Sequence, residues 1–316
     1  MILAVSKLKN PPSPAGGYRG RFAPSPTGPL HAGSLVAALG SWLDARKNGG
    51  QWLLRIEDLD TPRCMPGADQ QIRSQLLACG LFWDEEPSYQ SSRQALYQDA
   101  LERLIRLGHL YPCTCSRQMI ANTLLSLGIE TPRNQEMVYP GTCKPTKPQI
   151  NLSAAINKSP KAWRLRLPEN CHIEFEDLAL GSQSQDLNQQ VGDFVLRRSD
   201  GVFTYQLAVV VDDADQDISH IVRGEDLLSN TARQIYLQSL LGLHRPIYRH
   251  LPLVLDEHGE KLSKQTLATQ INTQDDQHAL IELRKAAKHL GLNGLPDGAS
   301  TTITEWLSAA TRAWGN

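Results

Sequence analysis

The sequence lacks any apolar stretch near the ~20 residues that a membrane-crossing helix needs; runs such as Leu207 to Val211 are far too short. It lacks a signal-like start, because residues 1–18 hold two lysines with Pro11, Pro12 and Pro14 but no extended apolar core. Charge of one sign is missing too: 32 Lys and Arg stand against 33 Asp and Glu, so there is no basic arm or acidic tail. A nucleic-acid partner would have to be held by a local patch. Cysteine is scarce, with six at 64, 79, 113, 115, 143 and 171. That is too few for a disulfide scaffold of 316 residues and fits reduced thiols, hence a cytoplasmic setting. No repeat at solenoid or propeller periods occurs. What is present, 41% hydrophobic residues with 23 Gly and 19 Pro spread along the chain, can build two domains, or one large domain with an insertion.

Residues 1–18 read as a loose lead-in. A short strand around Gly20 to Ala23 is broken by Pro24-Ser-Pro-Thr-Gly28-Pro29, which no strand or helix interior tolerates. Leu35, Val36, Leu39, Trp42 and Leu43 then recur at helical spacing up to the stop Gly49-Gly50, and Gln51 to Ile56 reads as a buried strand. This β-loop-α-β opening predicts an α/β fold, a doubly wound parallel sheet with ligands at the carboxyl ends of its strands. Helices are expected over Ala68 to Cys79 and Arg93 to Leu107. The character changes over 111–191, read as an insertion between two halves of a catalytic domain, 19–110 and 192–270. In the second half Phe194 to Arg197, Thr204 to Val211 and a helix from Thr231 to Leu241 resume the α/β pattern. A strand is expected over Leu251 to Leu255, and a short helical segment over 271–316.

Two loops carry phosphate chemistry. Pro24 to Ser34 joins a strand to a helix start, whose unpaired N–H groups seat anions. Gly33 lets the backbone come close, and His31 can donate to a phosphate oxygen as charge develops. Lys261-Leu-Ser-Lys-Gln265, in a glycine-flanked loop, offers Lys261, Ser263 and Lys264 to a triphosphate. Either loop alone could be an ordinary turn or a solvated charge run. Together they resemble the two nucleotide-binding signatures of class I aminoacyl-tRNA synthetases.

The flanking residues narrow the resemblance. Arg21-Phe-Ala-Pro-Ser-Pro-Thr-Gly28, Arg55-Ile-Glu-Asp-Leu-Asp-Thr-Pro-Arg63, Asp193-Phe-Val-Leu-Arg197, Tyr205-Gln-Leu-Ala208, Val211-Asp-Asp213 and Val222-Arg-Gly-Glu-Asp-Leu227 follow in order. They resemble the glutamyl-tRNA synthetase family, from about residue 19 to 270. The sequence departs from many members in reading Ala32 and Ser34 for Ile and His, and Leu262 and Gln265 for Met and Ser. A dicarboxylate with one ammonium calls for cationic forks and one anion. Arg21 and Arg223 supply the forks, Tyr205 a hydroxyl and Glu57 the anion, although each charge could instead serve a structural ion pair. The resemblance implies a glutamate site of Arg21, Phe22, Ala23, Pro24, Ser25, Glu57, Tyr205 and Arg223. It also implies ATP bound as its Mg²⁺ complex by His31, Gly33, Lys261, Ser263 and Lys264, with His31, Gly33 and Lys264 serving catalysis.

Cys113-Thr-Cys115 and Cys143 offer three thiolates, a set that suits structural Zn²⁺ once a fourth ligand joins. His109, Tyr139 and His172 are candidates, and general chemistry alone favours a histidine. A branch of the resembled family uses tyrosine, which implies Tyr139. Cys64, Cys79 and Cys171 read as free thiols.

Residues 266–316 suffice for two or three helices but not for a large anticodon-reading domain. A core cut in this way resembles the branch of the family that activates glutamate without tRNA. That branch esterifies glutamate to queuosine, at the wobble position in the anticodon loop of tRNA(Asp). The expectation is a cytoplasmic monomer that does so. The alternatives are a core that charges a tRNA 3′ end, and a non-catalytic tRNA-binding paralogue.

Overall fold

The computed structural model describes residues 17–130, 137–148, 161–254 and 269–315. Strands β1 (Arg19–Phe22), β2 (Gln51–Ile56) and β3 (Ser88–Tyr89) form a parallel sheet in that order. A second sheet has the order β7-β6-β10-β9, from β6 (His172–Asp177), β7 (Gly181–Asp186), β9 (His220–Gly224) and β10 (Ile247–Leu251). Here β9 and β6 run parallel to β10, and β6 and β7 form an antiparallel hairpin. The two sheets meet where the Ser219 N–H donates to the Arg19 carbonyl at 3.0 Å and the Arg19 N–H to Ser219 Oγ at 2.8 Å.

Helices cover both faces, because neighbouring strand residues point opposite ways. Leu53 joins a core with Tyr97 and Leu101 of α3 (Gln94–Arg106), Leu207 of α6 (Tyr205–Asp215) and Leu237 of α7 (Leu228–Leu241). Leu54 joins another with Leu39 of α1 (Ala32–Lys47), Leu76 of α2 (Ala68–Ala78), Leu283 of α8 (Asp276–His289) and Trp306 of α9 (Ile303–Ala313). This is the doubly wound α/β arrangement. Among the described residues no helix is long and apolar enough to cross a membrane.

The strand expected over Leu251 to Leu255 lies earlier. It ends at Leu251, because Pro252 has no N–H to continue a ladder, and Leu255 lies outside the described residues. Residues 111–191 divide between two places. The strands β4 (Leu110–Cys113) and β5 (Ala162–Leu165) make an antiparallel sheet with β8 (Phe194–Arg197), in the order β4-β5-β8, and helix α4 (Arg117–Ser126) follows β4. By contrast β6 and β7 belong to the second sheet, where β6 lies parallel beside β10. The turn α5 (Leu187–Gln190) links the two.

Helix α1 packs against β1, β2, β9 and β10 and against α8 and α9. Gly40 lets Leu251 approach, since a Cβ there would sit 2.6 Å from Leu251 Cδ1 and 3.4 Å from the Trp314 ring. Asp44, buried on the same helix, accepts hydrogen bonds from the Tyr18 hydroxyl and, at 2.7 Å, from the Trp314 indole, and lies 3.5 Å from Arg249. The two ends of the described chain are thereby fastened to one carboxylate.

Candidate active site and metal centre

Arg21, near the carboxyl end of β1, is 3% exposed. Its Nε donates to Asp213 Oδ1 at 3.0 Å and its Nη2 approaches Asp213 Oδ2 at 3.4 Å. Arg55 of β2, fully buried, donates from Nη2 to the same Oδ1 at 2.8 Å and from Nη1 to Gln216 Oε1 at 2.7 Å. Its Nη2 also lies 3.6 Å from Glu57 Oε1, just past the end of β2. Burial opposes ionisation of Asp213, yet Arg21 and Arg55 hold its carboxyl below the usual range. For Glu57 the balance is reversed. Burial, reinforced by Asp213 and Asp212, pushes its carboxyl up to about 7 against the pull of Arg55 and Arg21. Glu57 Oε1 is buried without a hydrogen-bond partner among the described residues. An acceptor left in that state is costly unless a ligand donor meets it.

Arg223 of β9 is buried and donates from Nη1 to the Tyr205 hydroxyl at 3.2 Å. Burial raises the Tyr205 phenol, and the charges that act on it are Arg223, Glu57, Arg21 and Asp213. The structure therefore gathers Arg21, Glu57, Tyr205 and Arg223 at the carboxyl ends of β1, β2 and β9. Phe22 is different: its ring is buried against Trp52, 6.2 Å between centroids, so it can serve a ligand only through its main chain. Ala23 and Pro24 are partly exposed and Ser25 is exposed. The Glu57 N–H donates to the Pro24 carbonyl at 3.0 Å, which sets this loop beside Glu57.

His31 caps the N-terminus of α1, its Nδ1 accepting the Ser34 N–H at 3.4 Å. An accepting Nδ1 places the ring proton on Nε2. Gly33 lies in the first turn, partly exposed. Leu30 is held by Gln75 Oε1 at 2.8 Å, its carbonyl accepts the Ile271 N–H at 3.0 Å, and His31 bridges to Gln270. The chain just beyond the lysine loop is thus pinned to the start of α1. Lys261, Ser263 and Lys264 lie outside the described residues.

The three cysteine sulfurs of Cys113, Cys115 and Cys143 lie within 4.8 Å of one another, and no His, Asp or Glu among the described residues joins them. The Tyr139 hydroxyl does, 3.5 Å from Cys113 Sγ and from Cys115 Sγ, and it accepts the Cys143 N–H at 2.7 Å. Neither His109 nor His172 is brought to the thiols. Gly192 makes this possible: at φ +70° it passes so close that a Cβ would sit 2.7 Å from the Tyr139 nitrogen. Arg164 Nε donates to Cys113 Sγ at 3.3 Å, and its guanidinium stacks 3.9 Å from the Tyr139 ring centre. Burial works against a Cys143 thiolate, but the Thr114 N–H and the neighbouring Cys115, Tyr139 and Cys113 bring the thiol down to about 7. Three soft sulfurs and one phenol oxygen form a donor set that fits a tetrahedral Zn²⁺. Cys79 and Cys171 are buried elsewhere, with thiols pushed up to about 12.

Residues 18–300 match the family described as tRNA synthetases class I (E and Q), catalytic domain. The chain belongs to this family. Among its curated relatives, this synthetase is 53% identical over 300 residues to the glutamyl-Q tRNA(Asp) synthetase of Burkholderia cenocepacia, which spans 94% of this chain and 96% of that one. It is 51% identical over 313 residues to the protein of the same name from Albidiferax ferrireducens, spanning 92% and 98%. A solved glutamate tRNA ligase of Elizabethkingia meningosepticum, in complex with its amino acid, superposes with TM-score 0.67 at 31% identity over 79% of this chain. The synthetase spans about half of that ligase, 52%.

The sequence motifs gave roles to Arg21, Glu57, Tyr205 and Arg223 but none to the residues that hold them: Arg55 and Asp213 stand in the same motifs, and Asp177 and His250 stand outside them. Their signal was a charged or imidazole side chain set into an otherwise apolar strand, or next to an apolar helix face.

Proposed function

We propose that this synthetase activates L-glutamate with ATP, without tRNA, to glutamyl-adenylate, and transfers the glutamyl group to queuosine at the wobble position of tRNA(Asp). The Glu57 oxygen, buried beside Arg55 without a hydrogen-bond donor among the described residues and within electrostatic reach of Tyr205, carries the glutamate half of this reading together with Arg21 and Arg223. An ammonium group would satisfy Glu57, and guanidinium forks with a phenol would take the carboxylates. The queuosine half rests on the names of relatives more than half identical over nearly their full length.

In the first step the α-carboxylate attacks the α-phosphate of ATP in line and pyrophosphate leaves. The N-terminus of α1 receives the phosphates, with His31 donating from Nε2 and Lys261, Ser263 and Lys264 closing from the other loop. Mg²⁺ bound to the triphosphate supplies charge neutralisation. In the second step a hydroxyl of the queuosine cis-diol attacks the activated carbonyl and AMP leaves. Cys113, Cys115, Tyr139 and Cys143 would hold Zn²⁺ in a closed, structural site that fixes the sheet β4-β5-β8. The protein would act as a cytoplasmic monomer.

The test is to incubate the protein with ATP and labelled glutamate on queuosine-containing tRNA(Asp) and, separately, on tRNA(Glu). Label on tRNA(Asp) that is absent when the tRNA lacks queuosine, and that persists when the 3′-terminal adenosine has been removed, is expected. Label on the 3′ end of tRNA(Glu) alone would overturn the reading.

A further inference from the structure

Arg223 does not stand alone in its pocket. Its Nε donates to His250 Nε2 at 3.2 Å, and its Nη2 donates to Thr231 Oγ1 at 2.9 Å. These bonds fix one edge of the guanidinium and turn Nη1 toward the Tyr205 hydroxyl. His250, on β10, is fully buried, and its Nδ1 lies 2.6 Å from Oδ2 of Asp177, also fully buried, at the end of β6. The other oxygen, Oδ1, is occupied by three backbone N–H groups, from Ala179 and Leu180 at 3.0 Å and from His250 itself at 3.2 Å. Asp177 therefore accepts from Nδ1–H, and Nε2 carries no proton: it accepts from Arg223 Nε and lies 3.2 Å from the Thr231 hydroxyl, which the same guanidinium holds. Burial foremost, with the Arg223 charge, pushes the imidazole below its ordinary value despite Asp177, which keeps Nε2 unprotonated.

We infer that Asp177 and His250 are positioning residues for glutamate recognition: the carboxylate selects the histidine tautomer, and the bare Nε2 aims the Arg223 guanidinium at the substrate. This rests on the reading that Arg223 holds glutamate. Neither residue touches substrate.

The substitution Asp177→Asn tests it with little change of shape. Because Oδ1 is committed to three N–H donors, the asparagine oxygen must take that place, and its NH₂ then faces His250 Nδ1. The ring proton is forced onto Nε2, where it opposes the Arg223 N–H. In tRNA-independent, glutamate-dependent ATP–pyrophosphate exchange, KM for glutamate should rise roughly tenfold or more, as for loss of one charge-assisted hydrogen bond. The KM for ATP should stay within about twofold and kcat within about threefold, values that separate aim from chemistry. Histidine ¹⁵N spectra should show His250 protonated on Nδ1 in the native protein and on Nε2 in the variant. His250→Gln, whose Oε1 can replace the bare nitrogen, should bind glutamate better than His250→Asn, which cannot reach Arg223. A KM for glutamate unchanged in Asp177→Asn, or equal losses in the two His250 variants, would overturn the inference. Arg223→Lys separates the two levels. If it leaves KM for glutamate unchanged, the glutamate reading itself fails; if it raises KM while Asp177→Asn does not, only the positioning role fails.

Discussion

Replacing Asp213 by asparagine should disturb both stability and glutamate binding, by amounts the geometry sets. One buried carboxylate oxygen receives Arg21 at 3.0 Å and Arg55 at 2.8 Å, and all three side chains are at most 3% exposed. Removing one partner of a buried pair typically costs about 3–5 kcal/mol, since the remaining charge is left without compensation. Gln216, Asp212 and Glu57 still face Arg55, which argues for that range rather than twice it. At about 2 °C per kcal/mol for a chain of this size, the melting temperature should fall by ~6–10 °C. A second consequence is electrostatic. Asp213 is among the charges that raise Glu57, while Arg21 and Arg55 lower it. Without Asp213 the Glu57 carboxyl should titrate at lower pH, so the acid limb of kcat/KM for glutamate moves down the pH scale. Calorimetry and pyrophosphate exchange across pH 5.5–8.5 measure the two effects separately. A variant that melts within about 2 °C of the native protein, with its acid limb in place, would refute the ion-pair reasoning.

Glu57 itself makes a pH prediction. Its folded carboxyl lies near 7, above the ordinary 4.5, so the folded state binds more protons between those values and stability falls as pH rises through about 7. Glu57→Gln should therefore stabilise the protein at pH 8 relative to native and make little difference at pH 4.5, while abolishing the improvement in glutamate KM between pH 6 and 8; unfolding curves that keep the same separation at both pH values would contradict this. Cys143→Ser should release about one Zn²⁺ per chain and loosen the sheet β4-β5-β8, as read by metal analysis and amide exchange; native protein containing no metal would remove the site. Gly192→Ala should lose about 1–3 kcal/mol, because its Cβ meets the Tyr139 backbone at a positive φ, and a denaturation midpoint equal to native would show that the loop adjusts freely. His31→Asn keeps an N-cap acceptor but not the Nε2 donor, so exchange should slow by about 10²–10³ with unchanged thermal stability; a fall in stability alone would reassign His31 to capping.

Much of the fold was readable because burial imposes period. The spacing of Leu35, Val36, Leu39 and Leu43 gave α1, and the apolar run of Gln51 to Ile56 gave β2, each within a residue or a few of its observed bounds. β6 was not expected although His172 to Asp177 alternates exposed and buried residues, because it lies in the proline- and cysteine-bearing stretch 111–191 that reads as an insertion. β10 was placed too late, since Arg249 and His250 interrupt the apolar pattern, and His250 is buried only because Asp177 satisfies it from another strand. The cysteine cluster shows the same limit. Composition marked the three thiols and left Tyr139 to the resemblance over a histidine, because its place beside them depends on the close passage of Gly192 along its backbone.

The fastening of Asp44 bears on the order in which the chain can mature during synthesis. Domains begin to fold from the N-terminal side as they emerge, yet the carboxylate in the last turn of α1 lacks its indole partner until Trp314 has been made. The helix that His31 caps is among the first elements translated and among the last to be completed. A chain that stops short of residue 314 would keep Tyr18 and Arg249 beside Asp44 but leave this buried carboxylate without its indole donor.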